Sequence, residues 1–284
     1  MQLPDLLGKI YVVTGANAGL GFETTRYLAA ANATVVMACR TPGKAQAAAD
    51  QLRKELPQAR LEQVQIDLAD YASVRRAAAE ILQRFKKIDC LVNNAGLFFD
   101  TRKLNDAGHE MTIATNHLGP FLLTNLLLPR LRATLGARIV SVSSEAHRMG
   151  KLRLDDLHGE KSWGAWQSYG TSKLANIVFT RELARRLEGS GVTATCCHPG
   201  FVASNFGETN GTLWDRLIGI SKIFAISPPK GALTQTWLAA SPEVAGQTGG
   251  YYASRKLRTP TAQARDDSVA RELWSLSEKL VGLA

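Results

Sequence analysis

A chain of 284 residues, 45% of them apolar and 21% charged, carries enough apolar material for a sizeable globular core. Its net charge of +9 suggests an anionic partner, but the 34 basic residues are scattered, never more than two in a row and without interleaved aromatics. That pattern argues against nucleic acid, which needs a basic stripe, and leaves a small phosphate-bearing ligand.

In chain order, the N-terminal MQLPDLLGKIYVV has no basic region leading into an apolar stretch and a cleavage site, so neither a secretory leader nor an anchor is expected. KIYVVTG is β-branched and ends in glycine; LGFETTRYLAAAN follows with helical spacing. ATVVMACR, RLEQVQIDL, KIDCLVNNAG, ARIVSVSS and VTATCCHPG read as further strands. Between them lie KAQAAADQLRKEL, YASVRRAAAEILQRF, a helix from about Asp106 to Leu131 and another from about Ala165 to Leu187. The apolar stretch LGPFLLTNLLLPRL is broken by Thr124, Asn125 and two prolines, which argues against a membrane span. Cys39, Cys90, Cys196 and Cys197 fall at or beside strand-like runs without metal-ligand spacing, the pattern of reduced thiols in a cytoplasmic protein. Strands alternating with helices of this length predict an α/β fold: one Rossmann-like, doubly wound parallel sheet of about seven strands with helices on both faces. No Pro-, Gly- or Ser-rich linker divides residues 1–284, so a single domain is expected.

TGANAGLG, Thr14 to Gly21, follows the first strand and opens the first helix. Gly15 permits a tight turn, Gly19 lets the backbone approach a ligand, and Gly21 lets the helix pack close to the sheet. A pyrophosphate would then meet free N–H groups at the helix N-terminus, with Asn17 and Leu20 in the same turn. The spacing is GxxxGxG rather than the commoner GxGxxG, so its position after the first strand carries the argument. The second strand ends in MACR, where a domain choosing NAD(H) places a carboxylate for the ribose 2′-hydroxyl. Here Cys39 and Arg40 stand with no carboxylate close by. An arginine can grip a 2′-phosphate through two parallel hydrogen bonds, so NADP(H) is favoured.

SYGTSKLAN places Tyr169 and Lys173 on one helix face. A phenol of pKa about 10 is a poor base at neutral pH. A nearby ammonium favours the phenolate, and proton transfer gains most as the pKa nears working pH. Lys173 is therefore expected to lower the pKa of Tyr169, and Tyr169 to exchange a proton with a substrate oxygen. Ser144 closes RIVSVSS at the carboxyl edge of the sheet, where its hydroxyl can hold that oxygen; Ser143 is adjacent, and strand alternation points the two opposite ways without saying which faces the substrate. Asn116 falls mid-helix, where asparagine is a mediocre helix former. Its plainer alternative is a buried amide bonded to backbone.

Taken in order, TGANAGLG, Asp67–Leu68 after the third strand, NNAG (Asn93–Gly96), Asn116, the paired serines, YGTSK and HPG resemble the motif series of the short-chain dehydrogenases/reductases over nearly the whole chain. ACR, SSEAH, SKLANIVFTRELARRL, HPGFV and ARELWSLSEKLVGL are similar to the retinol dehydrogenase-like branch. The resemblance implies an NADP(H)-dependent oxidoreductase with Asn116, Ser144, Tyr169 and Lys173 as its catalytic set. Asn116 would hold a water that relays protons from Lys173, and Lys173 would also bond the nicotinamide ribose. Asp67 and Leu68 would flank the adenine, and Asn93 would lie along the cofactor. Val202 and Ser204 would meet the nicotinamide carboxamide, serine standing where the family more often has threonine. Relatives form homodimers or homotetramers on the long helices around Asn116 and Tyr169. His109, His117, His147 and His158 show no metal-ligand spacing, and no metal is expected. All four read as structural or surface residues, with His147, soon after Ser144, the one to watch for substrate contact.

From about residue 201 to 227 the sequence loses its sheet pattern and is strongly apolar, with Phe206, Leu213, Trp214 and Phe224 among glycines at 207, 211 and 219. A lid over an apolar pocket is expected, suited to a lipophilic aldehyde, ketone or alcohol, retinoid-like compounds included. Two other readings use the same motifs. One is a protochlorophyllide reductase-like photoenzyme, against which Ser144 and SKLANIVFTREL speak. The other is a non-catalytic NADP(H)-sensing or scaffold protein, since fold alone does not fix function.

Overall fold

Apolar runs without alternation make strands buried on both faces, and five of them form the middle of the sheet. These are β1 (Ile10–Thr14), β2 (Thr34–Cys39), β4 (Cys90–Asn93), β5 (Arg138–Val142) and β6 (Thr193–His198). β3 (Arg60–Gln65) mixes exposed and buried positions because it is an edge strand. The computed structural model describes residues 2–200 and 227–284. Among them eight strands form one sheet, in the order β3-β2-β1-β4-β5-β6-β7-β8, with β7 at Tyr251–Ala253 and β8 at Lys256–Arg258. All neighbours are parallel except β7 and β8. The eighth strand exceeds the expected count of about seven. It escapes notice because KLR is short and exposed at every residue.

α1 (Gly19–Ala30), α2 (Pro42–Glu55) and α7 (Pro228–Ala240) cover one face of the sheet, burying Leu28, Leu52 and Trp237 against Met37 and Val140. On the other face lie α3 (Tyr71–Arg84), α5 (Gly119–Arg132), α6 (Ala165–Arg186) and α8 (Asp267–Leu280), around Ile81, Phe121 and Phe179. Asp70 caps α3 by accepting from the N–H groups of Ala72 and Ser73, and Asp266 caps α8 likewise.

The helix expected from about Asp106 starts instead at Met111. There Glu110 is the N-cap, accepting from the Ile113 N–H at 3.0 Å. It runs as α4 (Met111–Ile113), a π turn at Ala114–Leu118, and α5. Trp274 of α8 stacks on Phe179 and meets Phe121 edge-on, while Ser277 and His117 hydrogen-bond at 2.9 Å. The helices around Asn116 and Tyr169, on which a homodimer or homotetramer was expected to build, therefore have one face covered by the chain's own C-terminal helix. Among the described residues no helix is long and apolar enough to cross a membrane.

Candidate functional site

Strand order reverses at β1, whose neighbours are β2 and β4. The connections leave in opposite directions there and open a crevice at the carboxyl ends of the strands. A cavity of about 500 Å³ fills it. Gly15, Asn17, Gly19, Leu20, Arg40, Asp67 and Leu68, all expected to bind cofactor, line its wall. Gly19 has a left-handed φ of 53°, and a Cβ there would meet nothing within 4 Å. Ala18, the N-cap of α1, supplies no side-chain cap, so the first N–H groups of the helix remain available to an anion. This cradle fits the diphosphate of a dinucleotide.

Four expected cofactor residues, Gly21, Asn93, Tyr169 and Lys173, do not line the wall. Gly21 does the packing foreseen for it: a Cβ there would collide with the Gly15 carbonyl and come within 2.6 Å of Asn94 Nδ2. Asn93 is buried, and its amide donates to Thr124 Oγ1 at 2.9 Å, away from the crevice. Asn94, Ala95 and Gly96 take the wall position instead. Thr41 and Lys44 also line it beside Arg40. Sequence reading missed Lys44, although its place in the first turn of α2, a few residues after Arg40, was the available signal.

At Gly96 the cavity adjoins the reactive groups. A Cβ there would lie 2.9 Å from Lys173 Nζ and 3.4 Å from Asn116 Oδ1, so only glycine lets both side chains come this close. Lys173 donates to the Val142 carbonyl at 3.2 Å, and its ammonium lies 5.6 Å from the centre of the Tyr169 ring. Ser144 neighbours the Tyr169 phenol and favours its ionised form, and the Ser144 hydroxyl accepts from the Ala146 N–H at 3.2 Å. Ser143, by contrast, donates to the Lys173 main-chain carbonyl at 2.7 Å, which fixes β5 to α6. Of the two serines, Ser144 is the one turned to the phenol.

Burial pushes the Tyr169 phenol up, with Ser144 opposing it, and pulls the Lys173 ammonium down to about 8. Removal from water disfavours the charged form of both groups and is the largest cause of each shift. Asn116 Oδ1 accepts from the Leu97 N–H at 2.7 Å, and its amide donates to Leu97 O at 2.9 Å and Ser172 Oγ at 3.0 Å. Both amide hydrogens are used in tying the 96–97 loop to α6, while Oδ1 keeps a second lone pair.

His147 is wholly buried, bonded through Nδ1 to the Ser144 carbonyl and edge-on to Tyr251, so it supports the serine loop rather than meeting substrate. His109 and His158 stack 4.7 Å apart. Val202, Ser204 and the expected lid up to residue 226 lie outside the described residues.

A crevice at the switch point of a parallel sheet, with a buried tyrosine and lysine beyond its wall, is the build of a dinucleotide-dependent oxidoreductase. The chain belongs to the short chain dehydrogenase family, whose model matches residues 9–212, and to its retinol dehydrogenase-like branch. It is 44% identical to retinol dehydrogenase 14 of Homo sapiens, over 99% of this chain and 88% of that protein. It is 39% identical to human retinol dehydrogenase 13, over 97% of this chain and 85% of that one. Among solved structures, an uncharacterised protein from Mycobacterium paratuberculosis superposes with a TM-score of 0.80 at 36% identity, covering 99% of this chain and 96% of the other. A short chain dehydrogenase from Burkholderia cenocepacia, solved in complex with NADP, superposes at 0.70 and 26% identity, over 87% and 96%.

Proposed function

We propose that the protein is an NADP(H)-dependent oxidoreductase that moves a hydride between the nicotinamide and a lipophilic aldehyde, ketone or alcohol, with Tyr169 exchanging the proton. The observation that carries this is the Lys173 ammonium 5.6 Å from the centre of the buried Tyr169 ring, beside Ser144 and one glycine away from the cavity wall.

Bound in the crevice, the nicotinamide supplies or accepts the hydride. The chain's own residues do the rest. In carbonyl reduction Tyr169 gives its phenolic proton to the substrate oxygen while Ser144 hydrogen-bonds the same oxygen, so the charge developing there is neutralised in place. Lys173, still largely protonated at pH 7 with a pKa of about 8, then stabilises the phenolate left behind. In alcohol oxidation the roles reverse. Asn116 enters as the clamp that holds the 96–97 loop against α6, and Lys173 is the residue placed to bond the nicotinamide ribose.

Arg40 and Lys44 on the adenosine side of the wall support NADP(H) over NAD(H), in keeping with the NADP found in the Burkholderia relative. The names of the closely similar human proteins favour retinol- or retinal-like substrates within the lipophilic class. The four buried free cysteines suit a reducing compartment, and the reading takes the protein as cytoplasmic. The test is an NADPH-oxidation screen over aliphatic, aromatic and retinoid carbonyls. Turnover on lipophilic members is expected. NADPH binding without turnover on any member would overturn the enzymatic reading in favour of a nucleotide sensor or scaffold.

A further inference from the structure

Glu110 is completely buried, and its carboxylate stands between the two helical segments that carry Asn116 and Tyr169. Oε1 accepts from Thr112 Oγ1 at 2.9 Å and from Trp163 Nε1 at 3.4 Å. Oε2 accepts from the Ile113 N–H at 3.0 Å and from Ser168 Oγ at 2.8 Å. All four donors are neutral. An acceptor-only group satisfies them; a glutamine of the same shape would turn an NH₂ group toward two other donors. Burying such a group is costly unless its bonds are complete, and here they are.

Those bonds reach both partners of the site. Ile113 leads directly into the π turn that holds Asn116, and Ser168 immediately precedes Tyr169. From the other side, Asn116 donates to Ser172 Oγ at 3.0 Å, and Ser172 donates to the Tyr169 carbonyl at 2.7 Å. Tyr169 is thus held upstream through Ser168 and Glu110 and downstream through Ser172 and Asn116. We infer that Glu110 is a positioning residue, which sets where the Tyr169 phenol stands relative to Ser144 and Lys173 by locking the start of α6 to the Asn116 turn. The inference rests on Tyr169 being the proton-transfer residue.

The test compares Glu110→Gln, Ser168→Ala and Thr112→Val in the full chain, with wild type and Tyr169→Phe alongside. Thr112 bonds the same carboxylate but makes no link to α6, so it separates a structural role from a positioning one. With NADPH and all-trans-retinal, Glu110→Gln and Ser168→Ala should lower kcat by about tenfold with KM little changed, and the double variant should lose no more than Glu110→Gln alone. Thr112→Val should keep kcat within about twofold. A second readout needs no turnover. The alkaline ultraviolet signal of Tyr169, isolated by subtracting Tyr169→Phe, should move down toward the ordinary phenol range by about half a pH unit or more in Glu110→Gln and Ser168→Ala, because a loosened phenol is better hydrated. If both variants only lose thermal stability, as Thr112→Val does, while kcat and the tyrosine midpoint stay at wild-type values, Glu110 is scaffold and the inference is overturned. Full activity in Tyr169→Phe would instead overturn the reading on which it rests.

Discussion

Replacing Lys173 with methionine should make the protein more stable while removing its activity. The ammonium is completely buried, and burial lowers its pKa from 10.5 to about 8. Its one hydrogen bond among the described residues goes to the Val142 carbonyl, which also accepts from Asn176 Nδ2 at 3.3 Å and so keeps a donor in the variant. In wild type the unfolded chain binds the proton more tightly than the folded one, so stability rises with pH between the folded and unfolded values. A tenfold change in proton affinity is worth about 1.4 kcal/mol, so holding the cation costs the fold about 3 kcal/mol at pH 7 and about 1 kcal/mol at pH 10. Methionine fills a similar space and carries no charge. Urea unfolding of both proteins at pH 7 and pH 10 should therefore show the variant ahead by up to about 3 kcal/mol at the lower pH, with the gap shrinking at the higher. Other groups that titrate in this range are common to both proteins and cancel in the comparison. A variant less stable than wild type at pH 7, or a gap independent of pH, would refute the claim that Lys173 is held as a strained buried cation.

Arg40→Asp should weaken NADPH binding by about a hundredfold and NADH by far less, read by fluorescence titration, because a phosphate loses two charge-assisted bonds and gains a repulsion. Equal losses would end the argument for NADP(H). Ser144→Ala should lower kcat by about a hundredfold and also cost about 1 kcal/mol of stability through its lost cap on the Ala146 N–H. Ser143→Ala should lower stability by about 1 kcal/mol through its lost bond to the Lys173 carbonyl and spare kcat. Gly21→Ala should lower stability by about 2 kcal/mol and loosen NADPH binding, since its Cβ would press the Gly15 carbonyl and the Asn94 amide. Thermal melts and NADPH titration check both effects.

What could be read from the sequence was what periodicity and local chemistry encode. The continuous apolar runs marked the buried parallel strands, and the glycine spacing after β1 marked the turn that lines the crevice. The pairing of Tyr169 with Lys173 followed from helix spacing, and the choice of Ser144 over Ser143 from the family resemblance. What could not be read depended on which side chains the tertiary fold removes from water. No local pattern says that Lys173 and Tyr169 would both be taken out of water, or that the Asn116 NH₂ group would be used by Leu97 and Ser172. Asn93 and Asn94 are neighbours in NNAG, and only the end of β4 decides which of them turns to the core. Glu110 passed unnoticed because a lone glutamate before a helix looks like an ordinary cap. Its second role appears only once Ser168 and Trp163 arrive from far along the chain.

The most direct test of the account is Tyr169→Phe, which removes one oxygen and keeps the ring against Phe98 and Trp166. Measured on the carbonyl that wild type reduces fastest, kcat should fall by at least about a hundredfold while the Kd for NADPH stays unchanged. Retained turnover would contradict the assignment of proton transfer to this phenol.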